Sequence, residues 1–500
     1  MSIKALMLQG TASHVGKSLL VAGLCRVLVQ DGYKVAPFKA QNMALNSFVT
    51  PEGGEIGRAQ AVQAQAARVP PSVLMNPILL KPTNDTDAQV IVLGRPTGTF
   101  SAAAYGDEQV PALRRVVREA FDRLAAEYDV ILIEGAGSPA EVNLRERDIT
   151  NMAVAEMANA PVLLVGDIDR GGVFAALIGT LELLEPDEKG RVAGFIINKF
   201  RGDRALLTPG LDFLEAKTGK QVYGVVPFTR ELHLPEEDAL PERFRPGKRE
   251  AGTGRLRIGV IALPHLSNFT DFDPLAAEPE VALTYIRNPE EITDVDCLIL
   301  PGSKSTVMDL TYLRERGLAE AVRRAAANGK VVIGVCGGYQ MLGTVIADPD
   351  HVESRQDQVM GLGLLPVATR FSRDKITHQV RARCRWSGDE VTGYEIHHGI
   401  SWLLDAAVPA FEIFERSGEA VRISDGAWDG KVWGSNIHGL FENTSLRHRL
   451  LEGLSEAKGF PCQIGPYGQW NPEREYDRLA DLLRAHLNMT AIYRLIEGKR

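Results

Sequence analysis

Two stretches of this chain combine residue types and spacings that suit chemistry. The first is Val331-Val332-Ile333-Gly334-Val335-Cys336-Gly337-Gly338-Tyr339-Gln340-Met341. A β-branched run feeds Gly-x-Cys-x-Gly and then a helix-like segment, the layout of a nucleophile elbow. The glycines permit a tight turn and a close substrate approach. A cysteine that opens a helix feels the positive end of its dipole, which favours thiolate. The competing interpretation is a buried structural thiol. The second stretch is Gly10-Thr11-Ala12-Ser13-His14-Val15-Gly16-Lys17-Ser18, between the strand-like Ala5–Leu8 and an apolar helix, Leu19 to Gln30. Strand, glycine loop and helix form the context of a phosphate-binding loop. Backbone N–H groups along Gly10, Thr11, Ser13, Val15 and Gly16 would cradle phosphates, Lys17 would reach the terminal ones, and Ser18 is placed for Mg²⁺.

Each stretch needs partners. A nucleophilic cysteine needs a base, and the downstream candidates are His378, His397, His398, His438 and His448. His438 is favoured because it ends the run Lys431–His438 just before Gly439. The turn Pro301-Gly302-Ser303, after the strand Cys297–Leu300, offers N–H groups for an oxyanion together with Gly337. On the phosphate side, Asp129–Glu134 is a buried strand ending in an acid, so Glu134 is a candidate Mg²⁺ ligand opposite Ser18. Lys39 ends a second strand and could neutralise phosphate or acyl-phosphate, and Asn42 and Asn46 carry amides suited to carboxylate or amide groups. Gly166-Asp167-Ile168-Asp169-Arg170-Gly171-Gly172 suits metal and anion binding, though a structural turn explains its glycines equally well. Asn198, after the strand Val192–Ile197, is placed to read a nucleotide base.

The elements that must position these groups alternate regularly, strand then helix. This predicts α/β architecture in two doubly wound domains with parallel sheets. The expected divisions are an ATP-dependent phosphate-loop domain over 1–233 and a Pro/Glu/Arg-rich linker over 234–254. A cysteine-bearing domain over 255–446 and a helical tail over 447–500 follow. Residues Glu55 to Ala67 read as an Ala/Gln-rich helix, and 83–87 as a polar loop. Five hundred residues are too many for one core. A net charge of -8 gives no reason to expect nucleic acid or an anionic membrane surface as partner. Five cysteines without metal-ligand spacing fit a reducing cytoplasm. The N-terminus shows no secretory leader, and no apolar run is long enough to span a bilayer.

The variant Gly-Thr-x-Ser-x-Val-Gly-Lys-Ser resembles dethiobiotin synthetase and its ATP-dependent ligase relatives. The order strand–Pro-Gly-Ser, Gly-x-Cys-x-Gly, strand–His-Gly resembles the class I, triad-type glutamine amidotransferase domain, a flavodoxin-like sheet. That class has Glu two residues after the histidine, where this chain has Leu440. A Cys–His dyad, or a weak substitution by Glu442, is therefore expected, and the corrinoid-amidating subgroup also lacks that Glu. The fusion of both domains resembles the cobyrinic/cobyric acid amidase-type synthases. Within them, Phe38–Met43, Glu134–Glu141, Gly166–Gly172 and Asn198–Gly202 are similar to the cobyric acid synthases.

The resemblance implies ATP and Mg²⁺ as cofactors, and glutamine and a corrinoid diamide as small-molecule substrates. It implies ammonia made at Cys336, and amidation of the b, d, e and g carboxylates of adenosylcobyrinic acid a,c-diamide through acyl-phosphates. Asn42, Asn46, Asp169 and Arg170 would face the corrinoid. The alternatives are an a,c-diamide synthase and a non-catalytic NTP-binding protein.

Overall fold

The computed structural model describes residues 4–83, 86–101, 104–105, 109–229, 232, 234, 254–404, 407–461 and 470–498. Most of the expected 234–254 linker, Asn84 and Asp85 of the polar loop, and Cys462 lie outside the described residues. The chain divides into two units. Unit 1 comprises residues 1–44, 55–237 and 472–500, and unit 2 comprises 45–54 and 238–471.

Unit 1 is built on a six-stranded parallel sheet in the order Gln221–Pro227, Val192–Phe200, Val162–Asp167, Lys4–Gly10, Val130–Glu134, Val35–Phe38. Alternation along a strand sends successive side chains to opposite faces. Ala5 and Met7 join one apolar cluster with Leu113, Val117 and Phe121, while Leu6 and Leu8 join another with Leu20, Leu24 and Leu28. Helices therefore cover both faces, as a buried parallel sheet requires. The expected helix over Glu55–Ala67 begins only at Arg58, because Glu55–Gly57 is a strand. The Gly57 N–H donates to Asn76 Oδ1 at 3.0 Å and Glu55 is ion-paired to Lys81 at 2.7 Å, both buried. Those contacts pull the segment out of the helical path.

Unit 2 has a parallel sheet in the order Val281–Ile286, Leu256–Ile261, Cys297–Leu300, Val331–Val335, Val432–Ser435, closed by the antiparallel Ala427–Asp429. The order 2-1-3-4 with a crevice beyond the strand ends is the flavodoxin-like arrangement. The sequence reading did not foresee a second, mainly antiparallel sheet in this unit. Its long strands are Val367–Cys384 and Glu390–Leu403, and the two-residue strand Ile437–His438 pairs along the latter.

The predicted 447–500 tail is divided. Helix Thr444–Ala457 falls within unit 2, whereas Pro472–His486 and Met489–Ile496 belong to unit 1. There Leu479 and Leu483 pack in the cluster that holds Leu20 and Leu24. Arg26, fully buried on the helix after the phosphate loop, bonds Glu473 Oε2 at 2.6 Å and Asp477 Oδ1 at 2.7 Å. Residues 45–54 make the opposite excursion into unit 2. No helix among the described residues is long and apolar enough to cross a membrane.

Candidate active site

Unit 2 carries Cys336 at the N-terminal end of helix Gly337–Leu342, directly after strand Val331–Val335. Its φ of 50° and ψ of -113° are a strained conformation for a side chain with Cβ. That strain is the signature of an elbow held by its surroundings. The glycines are there because nothing larger fits. A Cβ on Gly338 would lie 2.0 Å from the Leu300 carbonyl oxygen, and one on Gly334 would lie 2.6 Å from Tyr339 Cα. Gly337 lies against the oxyanion turn, since its Cβ would meet Ser303 N at 3.0 Å. The turn is fixed by hydrogen bonds from its neighbours, Ser267 N–H to Gly302 O at 3.0 Å and Lys304 N–H to His265 O at 2.9 Å. The Ser303 hydroxyl donates to Asp309 Oδ2 at 2.6 Å. Ser303 and Gly337 thus stand side by side, and Gly302 adjoins the histidine, because a Cβ there would be 3.0 Å from His438 Cε1.

His438 reaches the cysteine by a route different from the expected one. Strand Val432–Ser435 runs parallel to the cysteine strand but ends at Ser435, and the chain then steps into the antiparallel sheet, where His438 pairs with Tyr394. The step is made by buried Asp425, which accepts from Ser435 Oγ at 2.5 Å and from Asn436 Nδ2 at 3.0 Å. His397 and His398 point elsewhere: their Nδ1 atoms lie on Gly399 O at 3.1 Å and Ser372 O at 3.3 Å. His378 Nδ1 lies on Ser417 Oγ at 3.3 Å, and His448 is on helix Thr444–Ala457.

The acid expected two residues after the histidine is replaced by Asp271, 167 residues upstream. Its Oδ2 is 2.6 Å from His438 Nδ1 and its Oδ1 accepts the Gly439 N–H at 3.0 Å. Leu440 is core and Glu442 is solvent-exposed, so neither a bare dyad nor Glu442 describes the site. Burial pulls the His438 imidazolium down, but Asp271 and the adjoining Cys336, through both charge and hydrogen bonding, outweigh it and hold the group up at about 10. A protonated imidazole beside Sγ is the condition under which a cysteine acts as thiolate. Cys336 Sγ also lies 3.8 Å from the Ile396 carbonyl oxygen. The buried amide of Gln340, absent from the sequence candidates, spans Thr306 Oγ1 at 3.4 Å and the His398 carbonyl at 3.4 Å.

Unit 1 assembles the phosphate loop at the carboxyl ends of its strands. Thr11 N–H bonds Val165 O at 3.0 Å, Gly16 adopts φ 97°, and helix Lys17–Gln30 starts immediately after. Gly10 must lack a side chain, since a Cβ would meet Val15 Cγ2 at 2.7 Å and Lys17 Nζ at 2.9 Å. Ser13 lies on the exposed part of the loop, and Gly137 approaches its hydroxyl. Lys17 Nζ bridges the Ala12 and Gly137 carbonyls at 3.1 and 3.2 Å.

Glu134 is buried and accepts from Ser18 Oγ at 2.8 Å, Lys39 Nζ at 2.9 Å and Gln63 Nε2 at 2.6 Å. A hydroxyl and a carboxylate in contact at the foot of a phosphate loop are hard oxygen donors, the set Mg²⁺ takes alongside phosphate oxygens and water. Asn198 Nδ2 donates to Val15 O at 2.9 Å, so it braces the loop. Lys199 Nζ bonds His14 O at 2.6 Å and Asp167 Oδ2 at 2.9 Å. Asp169 pairs with Arg201 at 2.7 Å, and exposed Arg170 is 3.7 Å from Asp167. Asn42 Nδ2 donates to Gln60 Oε1 at 3.0 Å. Asn46 is not with it: it belongs to unit 2, where its Oδ1 accepts the Phe269 N–H at 3.3 Å.

Comparison with known proteins agrees with both units. Residues 6–241 match the CobQ/CobB/MinD/ParA nucleotide binding domain, and residues 257–446 match the CobB/CobQ-like glutamine amidotransferase domain. A cobyric acid synthase of Pelotomaculum thermopropionicum is 52% identical over 509 aligned positions, covering 99% of this chain and 96% of the relative. One from Moorella thermoacetica is 52% identical, covering 97% of this chain and 96% of its own. One from Sorangium cellulosum is 50% identical over 99% of both.

Proposed function

This chain belongs to the cobyric acid synthase family, and from that premise we propose how its two units share one amidation. It is a glutamine-hydrolysing ligase that joins nitrogen to carboxylate carbon. The observation that carries the reading is the Asp271 carboxylate 2.6 Å from His438 Nδ1, beside an elbow cysteine. That arrangement is the triad logic of nucleophile, base and orienting acid.

Cys336 Sγ attacks the side-chain carboxamide carbon of glutamine. The resulting oxyanion accepts from the N–H groups of Ser303 and Gly337, with Gly302 shaping the turn. Protonated His438 gives its proton to the departing nitrogen, and ammonia leaves. Water, deprotonated by the same imidazole, attacks the thioester and releases glutamate. Asp271 holds the ring with Nδ1–H toward itself, so that Nε2 faces the reaction.

In unit 1 the γ-phosphoryl group of ATP passes to a carboxylate of the corrinoid, because a carboxylate alone is a poor electrophile. Lys17 and the 10–18 loop offset the phosphate charge, and Asn198 keeps the loop in shape. Mg²⁺ held by Ser18 and Glu134 would neutralise charge on the phosphate oxygens. Lys39 stands beside Glu134 to receive the anionic acyl-phosphate, and Asn42, Asp169 and Arg170 are offered to the corrinoid. Ammonia then displaces phosphate and leaves an amide. The substrate proposed is adenosylcobyrinic acid a,c-diamide, amidated at b, d, e and g to adenosylcobyric acid. Product mass after incubation with ATP, glutamine and either cobyrinic acid or its diamide decides it. Amidation of cobyrinic acid but not of the diamide would overturn the assignment in favour of an a,c-diamide synthase.

A further inference from the structure

The residues that hold the His438–Asp271 pair are themselves held by a stretch of chain that the sequence assigns to the phosphate-loop side. We propose that Asn46 and Ser47 are positioning residues of the glutaminase, Asn46 acting through Phe269 and Ser47 through Asn268 and Tyr394, on Asp271 and His438. The inference rests on the glutaminase reading of Cys336.

Asn268 is the centre of the arrangement. It sits in the left-handed region, at φ 52° and ψ 40°, and opens the short helix Phe269–Phe272 that carries Asp271. Its carbonyl accepts the Asp271 N–H at 3.0 Å. A non-glycine residue keeps such a conformation only where its surroundings impose it. Here the surroundings are specific. Asn268 Oδ1 accepts the Ser47 N–H at 3.3 Å, and Asn268 Nδ2 donates to the Tyr394 hydroxyl at 3.0 Å. The Tyr394 hydroxyl donates in turn to the Ser47 carbonyl at 3.4 Å. Asn46 Oδ1 takes the N–H of Phe269, the first residue of the Asp271 helix, at 3.3 Å.

The Tyr394 ring lies flat against the His438 imidazole, with centroids 5.4 Å apart and planes at 17°. Phe48 packs on the same tyrosine, at 5.2 Å between centroids. One loop therefore fixes the acid through its helix and the base through its stacking partner. All of these groups except Phe48 are buried. Proton transfer depends steeply on the direction of the imidazole nitrogen, so a loop that sets the ring plane sets turnover rather than glutamine affinity.

The test uses the full-length enzyme and three readouts: glutaminase kcat and KM, the pH profile of kcat/KM, and ligation driven by free ammonia. Asn46→Ala is expected to lower glutaminase kcat about 5–10-fold with KM little changed. The alkaline limb should move to lower pH, because a looser Asp271 holds the imidazolium less firmly. Ammonia-driven ligation should persist. Asn46→Asp, which keeps the acceptor for Phe269 N–H, should recover most of the loss. Asn268→Gly keeps the left-handed backbone without its carboxamide, and is expected to reproduce Asn46→Ala if that variant folds poorly.

Unchanged kcat and pH profile in both variants would overturn the inference. So would a parallel fall in ammonia-driven ligation, which would return Asn46 to the carboxylate-substrate site. A wild-type enzyme without glutaminase activity overturns the underlying reading and the inference with it, whereas an active wild type with unaltered variants overturns the inference alone.

Discussion

At the phosphate loop the Lys17 ammonium rests on two backbone carbonyls, Ala12 and Gly137. At the cysteine site the His438 imidazole rests on a full carboxylate, Asp271. The difference follows from what each charge is for. A phosphate brings a full negative charge where a carbonyl offers only a dipole, so an incoming phosphate can take the ammonium from the two carbonyls. The buried Asp271 carboxylate stays on the ring Nδ1–H whether or not Nε2 carries a proton, because separating the pair would leave an uncompensated charge. Unit 1 is arranged to receive charge from its substrates. Unit 2 keeps a carboxylate and an imidazole paired beside its cysteine.

Substitutions test this contrast in descending order of effect. Cys336→Ser is expected to lower glutamine-dependent amidation about 10⁴-fold or more, with ammonia-driven amidation intact. Loss of both together would end the division of labour between the units. Lys17→Ala is expected to lower ATP-dependent ligation about 10³-fold, while glutamine hydrolysis, assayed as glutamate release, continues. Full ligation in this variant would remove the phosphate-loop role.

Asp271→Asn is expected to lower glutaminase turnover about 10²-fold and to change the pH profile. His438 is held up at about 10, so the wild-type decline is expected on the alkaline side, and in the variant it is expected to move down toward the ordinary histidine value of 6.5. An unmoved limb would show that Asp271 does not hold the imidazolium. The sign for stability is the same. His438 binds its proton more tightly folded than unfolded, so its contribution is complete below 6.5 and is lost as pH rises through about 10. The smallest effect is expected at Arg26→Leu, which removes the bonds to Glu473 and Asp477. Both acids are half-exposed and find water, so the loss should be about 1–2 kcal/mol, read as a lower melting temperature with glutaminase unchanged.

The two sites also differ in how far the sequence discloses them. The phosphate loop is nine consecutive residues, and a parallel sheet lines up strand ends, so Lys39, Glu134 and Asn198 could be placed from their strands alone. The elbow was legible for the same reason: its glycines are required by local backbone and close contacts with Leu300 and Tyr339. Asp271 was not, because its partner is 167 residues away and no spacing links Asn268-Phe269-Thr270-Asp271 to His438. One signal was available. Asp271 lies between Phe269 and Phe272, and where two such rings anchor a segment in the core an acid beside them is buried only when paired.

The antiparallel sheet shows the alternation of a half-buried strand, with Val380, Ala382 and Cys384 inside and Arg381 and Arg383 outside. Alternation alone does not say which strand is its neighbour. Asn46 looked like an extension of Asn42 because only three residues separate them. The chain leaves unit 1 between the two, at Ala44, which local sequence does not mark.

The exchanged segments bear on how this enzyme could have been assembled from simpler genes. A cut within 234–254 severs the chain near its midpoint and leaves each half without a segment that belongs to its unit. The leading piece keeps Arg26 but loses the helices that cover it, and the trailing piece keeps Asp271 and His438 but loses residues 45–54. A tandem fusion of two freestanding ancestors would have been separable at that joint. With a strip of each half's sequence packed in the other unit, separation at that joint would carry a penalty in both, which makes such a fusion easier to keep than to undo.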